Sequence, residues 1–167
     1  MPPQGTRLDL TSHYPASVFK AYDIRGTVPD PLNAGFARAL GRALAGQARE
    51  QGVSALVVGR DGRLSSPELA QALQEGILDG GIDTIDIGQV PTPLVYYAAY
   101  TQGVGSGVAI TGSHNPPQYN GFKMMMAGKA LYGSGVQALR AAMNAAAAGA
   151  APAARRGSRR ELDLAGE

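Results

Sequence analysis

The run Ser54-Ala-Leu-Val-Val-Gly59 carries no polar residue between its ends, and this constrains the fold more than any other feature of the chain. A strand with one wet face alternates apolar and polar side chains, whereas a strand apolar at successive positions must be covered on both faces. Helical patterns flank the run and can supply the cover. Leu32, Phe36, Leu40 and Leu44 recur at helical spacing, so a helix is predicted over Leu32–Gln51, ending at Gly52. Ser66-Pro67-Glu68-Leu69 opens the next helix, with Ser66 placed to cap free amides and Pro67 suited to the first turn, and Gly80-Gly81 closes it. Ile82–Ile87 returns to strand, Thr92-Pro93 starts a helix through Tyr100, and Gly107–Thr111 is again a strand. Before these, Phe19–Ile24 alternates well enough for a strand, with Arg25-Gly26-Thr27 as a turn; after them come a strand at Phe122–Met126 and a helix over Ser134–Ala148. The expected fold is therefore α/β, a three-layer αβα domain around a mixed, mostly parallel sheet, because parallel neighbours need long crossovers that cover both faces.

Length and charge narrow the function. A chain of 167 residues, 44% of them hydrophobic, buries one ordinary core. Residues 1–17 lack periodicity and read as an arm, residues 18–150 as the domain, and residues 151–167 as a linker and the start of something cut off. The low-complexity stretch from 145 to 160 marks that boundary. The net charge of +2 owes much to Arg155, Arg156, Arg159 and Arg160, and no basic patch interleaved with aromatics occurs elsewhere, which argues against a nucleic-acid surface. The absence of cysteine removes disulfide, thiolate-metal and thiol-nucleophile chemistry and fits a reducing compartment. No run of 18 apolar residues exists and the N-terminus lacks a signal-peptide core, so no membrane role and a cytoplasmic location are expected.

In such sheets ligands gather at the carboxyl ends of strands. Two loops stand there: Gly59-Arg60-Asp61-Gly62-Arg63, and Thr111-Gly-Ser-His-Asn-Pro-Pro-Gln-Tyr-Asn120. In the second, glycine permits unusual backbone angles and the prolines resist collapse, which presents the Ser113 hydroxyl outward. Ser113 and His114 are sequence neighbours whose side chains diverge, which disfavours a serine-histidine dyad, and Thr111 stands where a nucleophile elbow needs glycine. Gly103-Val-Gly-Ser-Gly107 precedes a strand instead of linking strand to helix, so it is not a dinucleotide fingerprint, and Gly128-Lys129 lacks the upstream glycine of a phosphate-binding loop. Two readings remain on residue type alone. Ser113, Asn115 and Asn120 make turn hydrogen bonds, or Ser113 accepts a phosphate whose charge Lys123 and His114 could offset. Arg60 and Asp61 read as an ion pair bracing the loops, and His13 as a surface residue.

The string Thr111-Gly-Ser-His-Asn-Pro-Pro117 with Tyr119-Asn-Gly-Phe-Lys123 resembles the phosphoserine loop of the α-D-phosphohexomutases, in their phosphomannomutase/phosphoglucomutase branch. Three more strings agree in order: Phe19-Lys-Ala-Tyr-Asp-Ile-Arg-Gly26, Val58-Gly-Arg-Asp-Gly-Arg-Leu-Ser-Ser-Pro-Glu-Leu69 and Gly88-Gln-Val-Pro-Thr-Pro93. Together they cover residues 18 to 150.

The resemblance implies an enzyme that moves a phosphoryl group from Ser113 to a hexose phosphate through a bisphosphorylated sugar, interconverting mannose or glucose 1-phosphate and 6-phosphate. Ser113 would be the donor and acceptor, with His114 and Lys123 near it for proton transfer or charge stabilisation and Tyr22 and Arg25 lining the substrate cleft. It implies Mg²⁺ bound through the phosphate of Ser113, and glucose 1,6-bisphosphate as activator. It also implies that this chain is the first of four domains. The aspartate ligands of the metal, the sugar-recognition loop and the phosphate clamp would then lie in the other three, and this domain alone is expected inactive. A noncatalytic module binding sugar phosphates or a partner, and the phosphoglucosamine mutase branch, are the alternatives; the Lys20–Gly26 string and the glycine of Thr-Gly-Ser lean away from the latter.

Overall fold

The computed structural model describes residues 14–146 and 155–164. His13, most of the expected arm, and residues 147–154 and 165–167 of the linker region lie outside the described residues. In chain order the elements are β1 (Ile24–Thr27), α1 (Ala34–Glu50), β2 (Ala55–Arg60), α2 (Ser66–Asp79), β3 (Asp83–Gln89), α3 (Thr92–Thr101), β4 (Gly107–Ile110), β5 (Tyr119–Met126), β6 (Lys129–Ala130), α4 (Ser134–Ala146) and β7 (Arg159–Glu161). A short 3-10 turn at Ala16–Val18 precedes them.

The strands join one mixed sheet in the order β1-β5-β4-β2-β3-β7, with β6 beside β5. Strand β5 runs antiparallel to β1, β4 and β6, while β4, β2, β3 and β7 are parallel neighbours. Both faces of the apolar run at β2 are covered, as its composition requires. Leu56 and Val58 point into a core shared with α1, α2 and α4, while Val57 packs with Val95, Ala98 and Ala99 of α3 on the other face. The result is the three-layer αβα domain. No helix among the described residues is long and apolar enough to cross a membrane.

Local chemistry explains most of the elements. Helix α1 begins after Asn33, whose side chain accepts from the Phe36 amide at 2.9 Å, satisfying one of the free donors of the first turn. Its spacing holds: Phe36, Leu40 and Leu44 are buried, and Leu32 is buried just before the helix starts. Helices α1 and α2 cross closely, at Gly41 and Gly76. A Cβ on Gly76 would overlap the Arg38 carbonyl oxygen, and one on Gly41 would overlap that of Leu73.

Three local expectations are corrected. The first strand lies at Ile24–Thr27, with Phe19 in only an isolated bridge to Ile24. Arg25, Gly26 and Thr27 pair with Gly121, Asn120 and Tyr119 instead of turning, and a Cβ on Gly26 would meet Val18 at 3.0 Å, so that glycine serves packing. Ser66 is not the cap of α2: the capping position is Ser65, without a side-chain cap bond, and Ser66 is buried with its hydroxyl turned elsewhere. Finally, Arg159–Glu161, within and beside the stretch read as linker, forms β7 on the outer edge of β3. Arg156 ties this segment to Glu75 and Asp79 of α2, and Arg159 reaches Asp86 at 2.7 Å.

Candidate functional site

Strands β2 and β4 are parallel neighbours, so the loops that follow them leave the same rim of the sheet. There Asp61 and Arg63 of the first loop meet the Thr111–Asn120 loop. The Asp61 carboxylate accepts from the Gly112 amide at 3.0 Å, the Arg63 amide at 3.1 Å and the Ser66 hydroxyl at 2.5 Å. The ion pair expected between Arg60 and Asp61 forms instead between Asp61 and Arg63, with Nε 3.3 Å from Oδ2. Consecutive residues at a strand end point to opposite sides, which takes Arg60 away from its neighbour, and the following turn brings Arg63 back.

The Arg63 guanidinium then enters the serine loop. Nη1 donates to the carbonyls of Pro116 at 2.7 Å and Tyr119 at 3.1 Å; Nη2 donates to those of Asn115 at 2.6 Å and Ser113 at 3.2 Å. Within the loop, Asn115 returns both its amide and its side-chain Nδ2 to the Gly112 carbonyl, and Thr111 Oγ1 accepts from the Ser113 amide. Below it, buried Asn120 donates to the hydroxyls of Ser65 and Ser66. At the top Ser113 is exposed with φ +52°, a left-handed conformation rare for a residue with a side chain. Such a conformation persists only where its surroundings over-determine it.

The other site residues expected from the sequence fall in a second place. Tyr22, Arg25 and Lys123 line a cleft of about 500 Å³ together with Lys20, Asp23 and Tyr96. Sheet register explains their company. Arg25 stands opposite Gly121, and Lys123 is two residues further along β5 on the same face, while Ile24 and Phe122 point into the core. Tyr22 is 74% exposed, its ring beside that of Tyr132. Burial raises the Tyr96 phenol above its ordinary range, which keeps it neutral. Ser113 and His114 are exposed on the loop and do not line this cleft, and no hydrogen bond joins either to Lys123 among the described residues. Arg63 is the residue that residue type failed to mark; its one signal is a second arginine in a loop that must end near a glycine-bearing turn. A third concavity of about 460 Å³, at the ends of β2 and β3, mixes Arg60 and Arg159 with Asp86 and Glu161.

The charge on Asp61 is strongly supported. Burial works against it, but the hydrogen bonds from Ser66, Gly112 and Arg63 and the Arg63 guanidinium outweigh burial and hold the carboxyl below its ordinary value of 3.8. Because the folded value is lowered, the stabilisation is complete above the ordinary value and disappears as pH falls through the folded one. Urea unfolding between pH 7 and pH 3 is expected to show Asp61→Asn less stable than wild type at pH 7 but with a shallower decline below about pH 4. Equal acid slopes would contradict the assignment.

A metal does not find its ligands here. Among the described residues no group of three His, Cys, Asp or Glu side chains is placed to hold one.

Comparison with known proteins identifies the family. The family described as phosphoglucomutase/phosphomannomutase, alpha/beta/alpha domain I, matches residues 16–149. A phosphoglucomutase of Neisseria gonorrhoeae is 48% identical over 149 residues, 89% of this chain and 32% of that protein. A phosphomannomutase/phosphoglucomutase of Pseudomonas aeruginosa is 52% identical over 126 residues, 75% of this chain and 27% of that one. A crystal structure of a phosphoglucomutase/phosphomannomutase family protein from Burkholderia thailandensis superposes with TM-score 0.82 at 46% identity, over 90% of this chain and 34% of that one. The chain spans about a third of the length of the curated relatives it matches.

Proposed function

The chain belongs to the phosphoglucomutase/phosphomannomutase family, whose domain I it carries, and on that premise we propose that Ser113 is the phosphoryl donor and acceptor of a hexose-phosphate mutase. The observation that carries this reading is the presentation of Ser113: an exposed hydroxyl at the carboxyl rim of the sheet, in a left-handed conformation held from below. The clasp of Arg63 on the loop carbonyls fixes where that hydroxyl stands.

In the proposed cycle the bond between Ser113 Oγ and phosphorus breaks as a sugar hydroxyl forms its own bond to the phosphoryl group. That hydroxyl gives up its proton to a base, a role that fits His114 on the same loop. The bisphosphorylated sugar then turns, and its other phosphate returns to Ser113. Substrates are glucose or mannose 1-phosphate and 6-phosphate, the sugars that give the relatives their names. The cleft at Lys20, Tyr22, Arg25 and Lys123 supports this, since three cations against one carboxylate, Asp23, in a single cleft suit an anionic ligand. Its volume of about 500 Å³ lies in the range, about 300 to 1,000 Å³, of small-molecule sites.

The reading includes Mg²⁺ on the phosphate of Ser113 and glucose 1,6-bisphosphate as the phosphoryl source in the full-length protein. The chain spans about a third of its relatives' length, and the 167 residues alone are proposed not to complete the cycle. A cytoplasmic location accords with soluble sugar-phosphate substrates.

Peptide-resolved mass spectrometry tests the proposal. After incubation with glucose 1,6-bisphosphate and Mg²⁺, phosphate is expected on Ser113 in the full-length protein and not in this chain alone. Ser113 unmodified in both would overturn the phosphoserine and favour a binding module.

A further inference from the structure

We propose that Arg63 is the positioning residue for Ser113, holding the serine loop by its carbonyl oxygens and touching no substrate itself. The inference rests on the phosphoryl role proposed for Ser113 and adds to it the part that sets its geometry.

A guanidinium has five N–H donors in a fixed planar fork. In Arg63 the two of Nη1 go to Pro116 and Tyr119, the two of Nη2 to Ser113 and Asn115, and Nε faces Asp61. None is left for a ligand, and the side chain is only 17% exposed. This separates Arg63 from Arg25, which is 41% exposed and lines the open cleft. The carbonyl dipoles that Arg63 gathers surround the residue proposed to carry a phosphate. Left unpaired, their negative ends would oppose a dianion there; bound to a guanidinium, they are offset.

Gly112 completes the fit. A Cβ there would overlap Cζ and Nε of Arg63, while Gly112 is not among the glycines of positive φ. The guanidinium, not the backbone angle, requires the glycine. Asp61 sets the fork from the other side and also accepts the Gly112 amide. Ser113 thus follows directly on a residue locked against the arginine. Lysine would keep the charge but cannot reach four carbonyls from one point.

Two arms test the proposal. In the full-length protein, Arg63→Ala and Arg63→Lys are expected to slow phosphorylation of Ser113 by about 100-fold, with KM for the hexose phosphate little altered, since misplacement of a reacting group acts on the transfer step. Added guanidinium at non-denaturing concentration should restore part of the rate to Arg63→Ala and none to Arg63→Lys. In this chain, amide hydrogen exchange at Gly112 and Asn115 should accelerate in both variants while the amides of β2 and β4 keep their protection. Wild-type loading of Ser113 in both variants, or unchanged exchange at Gly112 and Asn115, would overturn the role. If Ser113→Ala retains transfer, the phosphoserine reading has failed, and the exchange arm still decides whether Arg63 fixes the loop.

Discussion

Ser113→Ala is expected to remove hexose-phosphate interconversion from the full-length protein, by roughly 10⁴-fold or more, the scale seen when a nucleophile is deleted from a covalent cycle. Stability should hardly register the change, because the side chain is exposed and exposed substitutions stay within about 0.5 kcal/mol. Ser113→Gly sharpens the test. Glycine adopts the left-handed conformation without the penalty of about 1 kcal/mol borne by other residues, so this variant should be inactive yet slightly more stable than wild type. Steady-state turnover alongside thermal unfolding separates the two effects. Turnover of Ser113→Ala within tenfold of wild type would end the phosphoserine assignment.

Gly76→Ala is expected to give the largest loss of stability. Two terms oppose each other. Alanine is favoured over glycine inside a helix by about 1 kcal/mol. Against this, the added methyl would overlap the Arg38 carbonyl oxygen and approach the Arg42 nitrogen at 3.0 Å, backbone groups of α1 that cannot swing aside. The helices must separate, loosening Leu40, Leu44, Leu73 and Ile77, all fully buried between them and the sheet. Overpacking of this kind, backbone shifts included, costs about 1–3 kcal/mol, so a net loss of up to about 2 kcal/mol is expected. For a chain of this size that lowers Tm by up to about 4–8 °C. Gly46→Ala, on the partner helix α1, is the control. Its Cβ would meet only the end of Arg49 at 3.9 Å, so it should gain up to about 1 kcal/mol from propensity alone. If both substitutions move Tm the same way, the close crossing does not limit stability.

What could be read beforehand divides along the range of the interactions. The unalternating run at β2 and the spacing of Phe36, Leu40 and Leu44 report burial directly, so the layers and the helix faces were legible. Position along the chain was less so where pairing decides. Phe19–Ile24 alternates as a strand should, yet the antiparallel partner Tyr119–Phe122 engages Ile24–Thr27. Ser66 looks like a cap because serine so often is one, but Asp61 lies five residues back and Asn120 fifty-four ahead, and these claim its hydroxyl. The loop containing Ser113 was visible as a motif. The residue that holds it was not, since Arg63 is joined to it across fifty or more positions of sequence by backbone carbonyls, which leave no trace in residue type. Charge alone paired Asp61 with the wrong arginine for the same reason.

The last strand has a consequence for biosynthesis. Strand β3 is emitted early, but its outer edge is occupied only when Arg159–Glu161 arrives some seventy residues later, after β4, β5 and α4 have already been made. During translation the growing chain therefore carries an open edge of parallel sheet, with the Thr84 amide and the Asp86 carbonyl awaiting their final partners, Ser158 and Leu162. Unpaired edges recruit other strands, and non-local closure is slow. A ribosome stalled before residue 156 would release a domain whose serine loop is complete but whose sheet is not. Such a product should be prone to self-association through β3.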